Sequence, residues 1–381
     1  MIGFARSDTS ILARWWWTVD RWLLIAIALL LGMGFLLTLA ASPPVADRLG
    51  LASFHFAVRQ AVFLCLAVAV MLGLSLLSTT AVRRVACVLF PLCLVLVVMT
   101  LFLGREINGA TRWLHLGVFT LQPSELLKPA FVVLTAWMCS EEIGDPAFPG
   151  KPVSLALYLI VVTFLVMQPD FGQAILITVV WLGQLAMAGL SMTWIGAAAA
   201  AGIAAIVLAY LTVPHVASRI DRFFDPSSGD TYQIDTALNA FRAGGLFGRG
   251  PGEGAVKKVL PDAHTDYIFA VAGEEFGAFV CLAIVALFAV IVVRGLAHLV
   301  EEENPFVLLA ASGLLALFGL QALINIGVNL ALVPSKGMTL PFISYGGSSM
   351  LALAVTMGMV LALTRRNRFA TGRSRLSWGA S

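Results

Sequence analysis

Apolar runs close to 20 residues long recur along the chain, at 22–41, 57–77, 85–103, 124–139, 153–167, 171–190, 193–213, 267–293, 306–332 and 346–364. A helix needs about 20 such residues to cross the hydrocarbon of a bilayer. Inside lipid the backbone must pair with itself, so these runs predict an all-α, polytopic membrane protein of about ten transmembrane helices. The runs 124–139 and 153–167 are short, and call for completion by flanking polar residues or for local thinning of the bilayer. Composition excludes the soluble alternative: 60% of residues are hydrophobic and 12% charged, against roughly 45–50% and about 25% in soluble domains. A net charge of +3 with scattered basic residues excludes nucleic acid as a partner.

The first run follows Arg6, Arg14 and Arg21. It is longer than the roughly 7–15-residue core of a cleavable signal, so it reads as a retained span. Residues 1–21 are then a cytoplasmic segment, 22–364 the ten-span domain with a large outer loop at 214–266 between spans seven and eight, and 365–381 a basic cytoplasmic tail. Lys and Arg in short flanks mark the cytoplasmic side. With ten spans, Arg83, Arg84 and the arginines after 364 share that side with the N-terminus. The five cysteines lie in or at the end of apolar runs without metal-type spacing, so they read as small buried hydrophobes.

The same parity puts the segments rich in polar residues and glycine on the outer face: 104–128, 168–173, 215–266 and 334–348. Nucleoside triphosphates are not expected there, so bond formation needs a substrate that arrives activated, such as a lipid-linked pyrophosphate. The longest segment holds Ile234, Leu238 and Phe241 at helical spacing, followed by the glycine-rich stretch 244–254. That stretch lacks the strand and the Lys-Ser or Lys-Thr of a phosphate loop, and reads as flexible or closely approached backbone.

Asp266 closes that loop where the chain re-enters the membrane, after His264 and Thr265. It is either a helix cap or a functional carboxylate. Glu274 and Glu275 read as interior hydrogen-bond partners. Pro123 and Ser124 begin a helix whose Glu125 and Lys128 share a face, as an ion pair or as part of a polar site with Arg105 and Arg112, whose cations suit phosphate. Asp170 sits in a break between two apolar runs, tolerated only against protein or a watery cavity. The last outer segment carries Ser344, Tyr345, Gly346 and Gly347, either as a re-entrant turn or as substrate contacts.

Asn108-Gly109-Ala110 with Arg112-Trp113, Gln122-Pro123-Ser124-Glu125 with Lys128, Gln168-Pro169-Asp170 with Gly172, His264-Thr265-Asp266 with Glu274-Glu275, and Pro341 through Ser349 follow one another as in the SEDS family. The chain resembles that family from the first span to the last. Its stretch Lys336 to Gly347 is closer to the cell-division branch than to the rod-elongation branch. The resemblance implies a membrane peptidoglycan glycosyltransferase that polymerises lipid II, with Asp266 as the essential carboxylate and Lys128 close to it. Where some members carry a glutamate before the Leu-Pro of the long loop, this chain has Lys257-Lys258.

The implied reaction joins a sugar hydroxyl to an anomeric carbon and expels a polyprenyl pyrophosphate. That leaving group departs unprotonated, so one general base suffices; Asp266 would be that base, and Lys128 the second catalytic residue, holding it ionised and oriented. Basic side chains, with or without a divalent cation (Mg2+ or Mn2+), would offset its charge. Arg105, Arg112, Glu125, Asp170, His264, Thr265, Ser344, Tyr345, Gly346 and Gly347 are the candidate substrate contacts. The resemblance also implies a class B penicillin-binding protein transpeptidase and other divisome proteins as partners, membrane lipid around the spans, and a place in the inner membrane at the septum. Two rival readings are a lipid II flippase and a non-catalytic scaffold that activates the transpeptidase.

Overall fold

The computed structural model describes residues 10–365 except 108–109, 118, 214–215, 219–220, 222–230 and 335–336, with backbone only at 105–107, 110, 116 and 119. Arg6, Asn108, Gly109, Lys336 and the basic tail beyond 365 lie outside the described residues. Each apolar run coincides, to within a few residues, with one α-helix. After a short amphipathic helix α1 (Ile11–Thr18) these are α2 (Arg21–Arg48), α3 (His55–Ser75), α4 (Thr79–Leu103), α5 (Pro123–Gly144), α6 (Gly150–Met167), α7 (Phe171–Met187) and α8 (Met192–Thr212). A loop helix α9 (Tyr232–Gly244) precedes the last three, α10 (Ile268–Ala297), α11 (Pro305–Asn329) and α12 (Gly347–Leu363).

Seven of these helices are long and apolar enough to cross a membrane, and α7 and α12 are apolar but shorter. The short run at 124–139 is indeed completed by polar flanks, because α5 extends from Pro123 to Gly144. Side chains cap several starts. Asp20 accepts from the Trp22 and Leu23 amides and Asn304 from those of Phe306 and Val307, which satisfies N–H groups that have no partner within the helix.

The all-α expectation gains one addition. Between α4 and α5 the chain forms a small antiparallel sheet of β1 (Arg105–Ile107), β2 (Ala110–Leu116) and β3 (Phe119–Leu121), in the order β1-β2-β3, with Leu114 opposite Leu121 and His115 opposite Thr120. Too polar to enter lipid, this segment pairs its own backbone groups instead.

Helices α11 and α12 are buried along most of their length, whereas no residue of α8 is buried. The long loop docks on α10 at Gly277, whose φ of 79° breaks the helix. Gly250 donates to the Glu275 carbonyl at 2.9 Å and Ala278 to the Gly245 carbonyl at 3.0 Å. A Cβ on Gly277 would collide with the Leu246 carbonyl, so the glycine-rich stretch is closely approached backbone, as one of its two readings expected. Glu274 accepts from the Val256 and Lys257 amides at 2.7 and 2.8 Å, and Glu275 pairs with the buried Lys257 ammonium. The two glutamates are therefore anchors of the loop, and Lys257 supplies the matching charge.

Candidate active site

Asp266 is the penultimate residue of a turn, 261–267, that leads into α10. Three successive carbonyls of that turn are held from other parts of the chain. The Tyr345 amide donates to the His264 carbonyl at 2.9 Å, the Ser344 hydroxyl to that of Thr265 at 2.6 Å, and the side-chain amides of Asn325 and Asn329 to that of Asp266 at 2.9 and 2.8 Å. The half-buried Asp266 carboxylate faces Gly337, where an added Cβ would stand 3.1 Å from Oδ2. Beside it the His264 ring packs on Phe56 and Tyr345, with centroids 4.5 and 5.5 Å away. Burial, with the Arg48 guanidinium as a lesser cause, lowers the His264 pKa to about 4. The imidazole is neutral at neutral pH.

Lys128 is buried in the second turn of α5. Its ammonium reaches Glu125 Oε2 at 3.0 Å, Gln173 Oε1 at 2.9 Å and Gln321 Oε1 at 3.0 Å. The Gln173 and Gln321 contacts are hydrogen bonds, whereas the Glu125 contact is an ion pair without hydrogen-bond geometry. The link from Lys128 towards Asp266 runs along α11, where Gln321 and Asn325 are one turn apart. Gln321 also donates to the Thr339 carbonyl at 3.1 Å, and Thr339 and Ser349 share a hydroxyl contact at 2.6 Å.

Arg112 of β2 lies 3.5 Å from the buried Asp170 and donates to the Gln168 and Pro169 carbonyls. Its guanidinium thus holds the break between α6 and α7. Gln122 joins this cluster to the last segment: its side chain donates to Asp170 at 3.5 Å and its amide to Ser348 Oγ at 3.0 Å. The Arg105 side chain lies outside the described residues, although its backbone belongs to β1. Ser344 accepts from the Leu340 amide at 2.8 Å as well as donating to Thr265. A Cβ on Gly347 would collide with the Phe63 ring, while Gly346 precedes α12 in extended backbone. The predicted residues from all four outer segments are therefore linked around one end of the helix bundle.

A family model described as a cell cycle protein, covering FtsW, RodA and SpoVE, matches residues 21–369. The chain belongs to this family. Among curated relatives, it is 47% identical to the probable peptidoglycan glycosyltransferase FtsW of Caulobacter vibrioides over 98% of this chain and 96% of that protein. It is 32% identical to the protein of the same name from Legionella pneumophila, over 92% of each. Among solved structures, it is similar to Thermus thermophilus rod shape determining protein RodA, with a TM-score of 0.67 and 27% identity over 92% of this chain and 97% of that one. A chain from a peptidoglycan synthase complex that coordinates polymerization and crosslinking aligns with a TM-score of 0.71 and 26% identity, over 91% of this chain and 97% of that one.

Within this FtsW/RodA/SpoVE fold the sequence reading missed the amides of α11. Gln321, Asn325 and Asn329 are four residues apart inside an otherwise apolar run, so they form one polar stripe of a helix. That spacing was the available signal. Among the described residues no three His, Cys, Asp or Glu side chains come together as a metal site.

Proposed function

We propose that this chain is a peptidoglycan glycosyltransferase that polymerises lipid II on the outer face of the inner membrane, with Asp266 as general base. The acceptor hydroxyl oxygen bonds to the anomeric carbon of the donor, the hydroxyl proton passes to the Asp266 carboxylate, and the carbon–oxygen bond to pyrophosphate breaks. The polyprenyl pyrophosphate leaves with that electron pair. The observation that carries this reading is the placement of Asp266, on a turn pinned at three consecutive carbonyls by Tyr345, Ser344 and the buried amides of Asn325 and Asn329. A base must be held within hydrogen-bond reach of its proton, and such pinning provides a fixed position.

In this reading Lys128 and Arg112 act mainly by fixing the segments around the site through their buried partners, and the Arg105 side chain is a candidate for the pyrophosphate. A divalent cation would serve as counter-ion of the pyrophosphate; among the described residues no three His, Cys, Asp or Glu side chains come together to hold one. Both termini lie in the cytoplasm and the protein works at the septum with a class B penicillin-binding protein transpeptidase and other divisome proteins. Supporting the transpeptidase is the likeness to a chain from a synthase complex that couples polymerization to crosslinking. The flippase reading draws less support, since Glu125, Lys128, Asp170 and Asp266 stand at or near helix starts rather than at the centre of spans.

The test is polymerisation of lipid II by the purified full-length protein, with and without the transpeptidase. Asp266→Asn retains size and capping capacity but cannot take a proton at neutral pH, and should lose activity by a factor on the order of 10²–10⁴ at unchanged membrane abundance. Full activity in that variant would remove the base assignment and move it to Glu125 or Asp170.

A further inference from the structure

The start of α10 is irregular in a specific way. In a regular helix the Ala270 N–H would donate to the carbonyl four residues back, that of Asp266. Here the side-chain amide of Asn329 is inserted between them: its Oδ1 accepts from the Ala270 N–H at 3.1 Å, and its Nδ2 donates to the Asp266 carbonyl at 2.8 Å. Ala270 makes its remaining backbone contact with Tyr267, at 3.0 Å. Both groups that would close another helical turn are thus satisfied from α11, and Asp266 stays outside the helix.

One turn earlier, Asn325 makes a second bridge. Its Nδ2 donates to the Asp266 carbonyl at 2.9 Å and to the Met338 carbonyl at 2.6 Å. Met338 follows Gly337, whose Cα faces the Asp266 carboxylate. One amide therefore joins the backbone that carries the carboxylate to the backbone that walls it. Asn325 and Asn329 are almost fully buried, at 1% and 0% exposure, so water cannot replace these bonds if the amides are removed.

We propose that Asn329 and Asn325 are positioning residues for Asp266, acting through its backbone carbonyl to keep the carboxylate out of α10 and against Gly337. The inference rests on the reading of Asp266 as the base. Without the inserted amide, the Ala270 N–H keeps only the Tyr267 carbonyl as partner and can shift to the Asp266 carbonyl four residues back. Winding that residue into α10 would change its backbone conformation and with it the direction of its side chain.

The experiment uses the full-length protein in proteoliposomes with lipid II and compares Asn329→Asp, Asn325→Ala and Asp266→Asn with the parent. Asn329→Asp keeps the acceptor for Ala270 but sets an oxygen against the Asp266 carbonyl. The expected result is a fall in kcat of about 10²-fold, the scale of a misplaced reacting group, with KM and membrane abundance retained and the acid limb of the kcat profile shifted. Parental kcat, or activity that falls only with folded protein while the acid limb stays in place, overturns the proposal. Should Asn329→Asp not reach the membrane, Asn325→Ala is read by the same criteria. An inactive Asp266→Asn beside fully active asparagine variants refutes the positioning role alone, whereas an active Asp266→Asn refutes the base assignment itself.

Discussion

Gly337 and Asp266 meet without a side chain between them: a Cβ on Gly337 would lie 3.1 Å from the Asp266 Oδ2. Such a separation is tight, so the carboxylate would have to move by a few tenths of an ångström to admit a methyl group. Gly337→Ala is expected to keep membrane abundance and lose polymerase activity, by about 10²-fold or less on the scale for misplaced catalytic groups. Lipid II turnover at matched protein levels checks this, and parental activity would mean that the wall does not constrain the base.

Lys128 is buried and ion-paired with Glu125. Removing it leaves Glu125 buried without its partner, at a cost of about 3–5 kcal/mol for breaking such a pair from one side. Lys128→Met is thus expected to lower both melting temperature and abundance, while Lys128→Met with Glu125→Gln recovers much of each. If the double variant folds but stays as inactive as Asp266→Asn, Lys128 has a role in the chemistry as well.

A comparable pair anchors the long loop. Lys257 and Glu275 are 3% and 0% exposed at their side chains and bonded to each other, so Lys257→Met should destabilise the protein by about 3–5 kcal/mol. The loop at 245–258 should become cleavable by added protease before the spans unfold. Equal protease resistance in variant and parent would show that the backbone bonds to Glu274 and Glu275 suffice to hold the loop.

His264 gives a pH signature. Its pKa is depressed to about 4, by burial first and Arg48 second, from an ordinary 6.5. The unfolded chain binds a proton as pH falls through about 6.5, whereas the folded site resists protonation down to about 4. Stability from this group is therefore complete above that window and is lost on acidification through it. Melting temperatures taken across the window should fall less steeply for His264→Gln than for the parent, and equal slopes would refute a neutral buried imidazole.

Orientation can be read with two fusions. A reporter placed after Gly252 is expected outside and one after Glu302 inside, because α10 separates them. Both in one compartment would reverse the assignment of the site to the outer face.

The spans were legible in the amino-acid sequence because the cost of placing a residue in lipid is local and adds along the chain. Each apolar run therefore coincides with a helix. The polar segments that meet at the site were legible for the same reason, since each interrupts a run that lipid would otherwise continue. Only the tertiary structure decided what the polar groups do. Arg112, read as a phosphate donor, holds Asp170 and two carbonyls. Lys128, whose ion pair with Glu125 was one of two readings, is bonded to Gln173 and Gln321 as well. The amides that pin Asp266 come from residues 59 and 63 positions away. A hydrogen bond is directional and is satisfied only within about 3 Å, so its partner depends on how the helices cross rather than on the residues beside it in the chain.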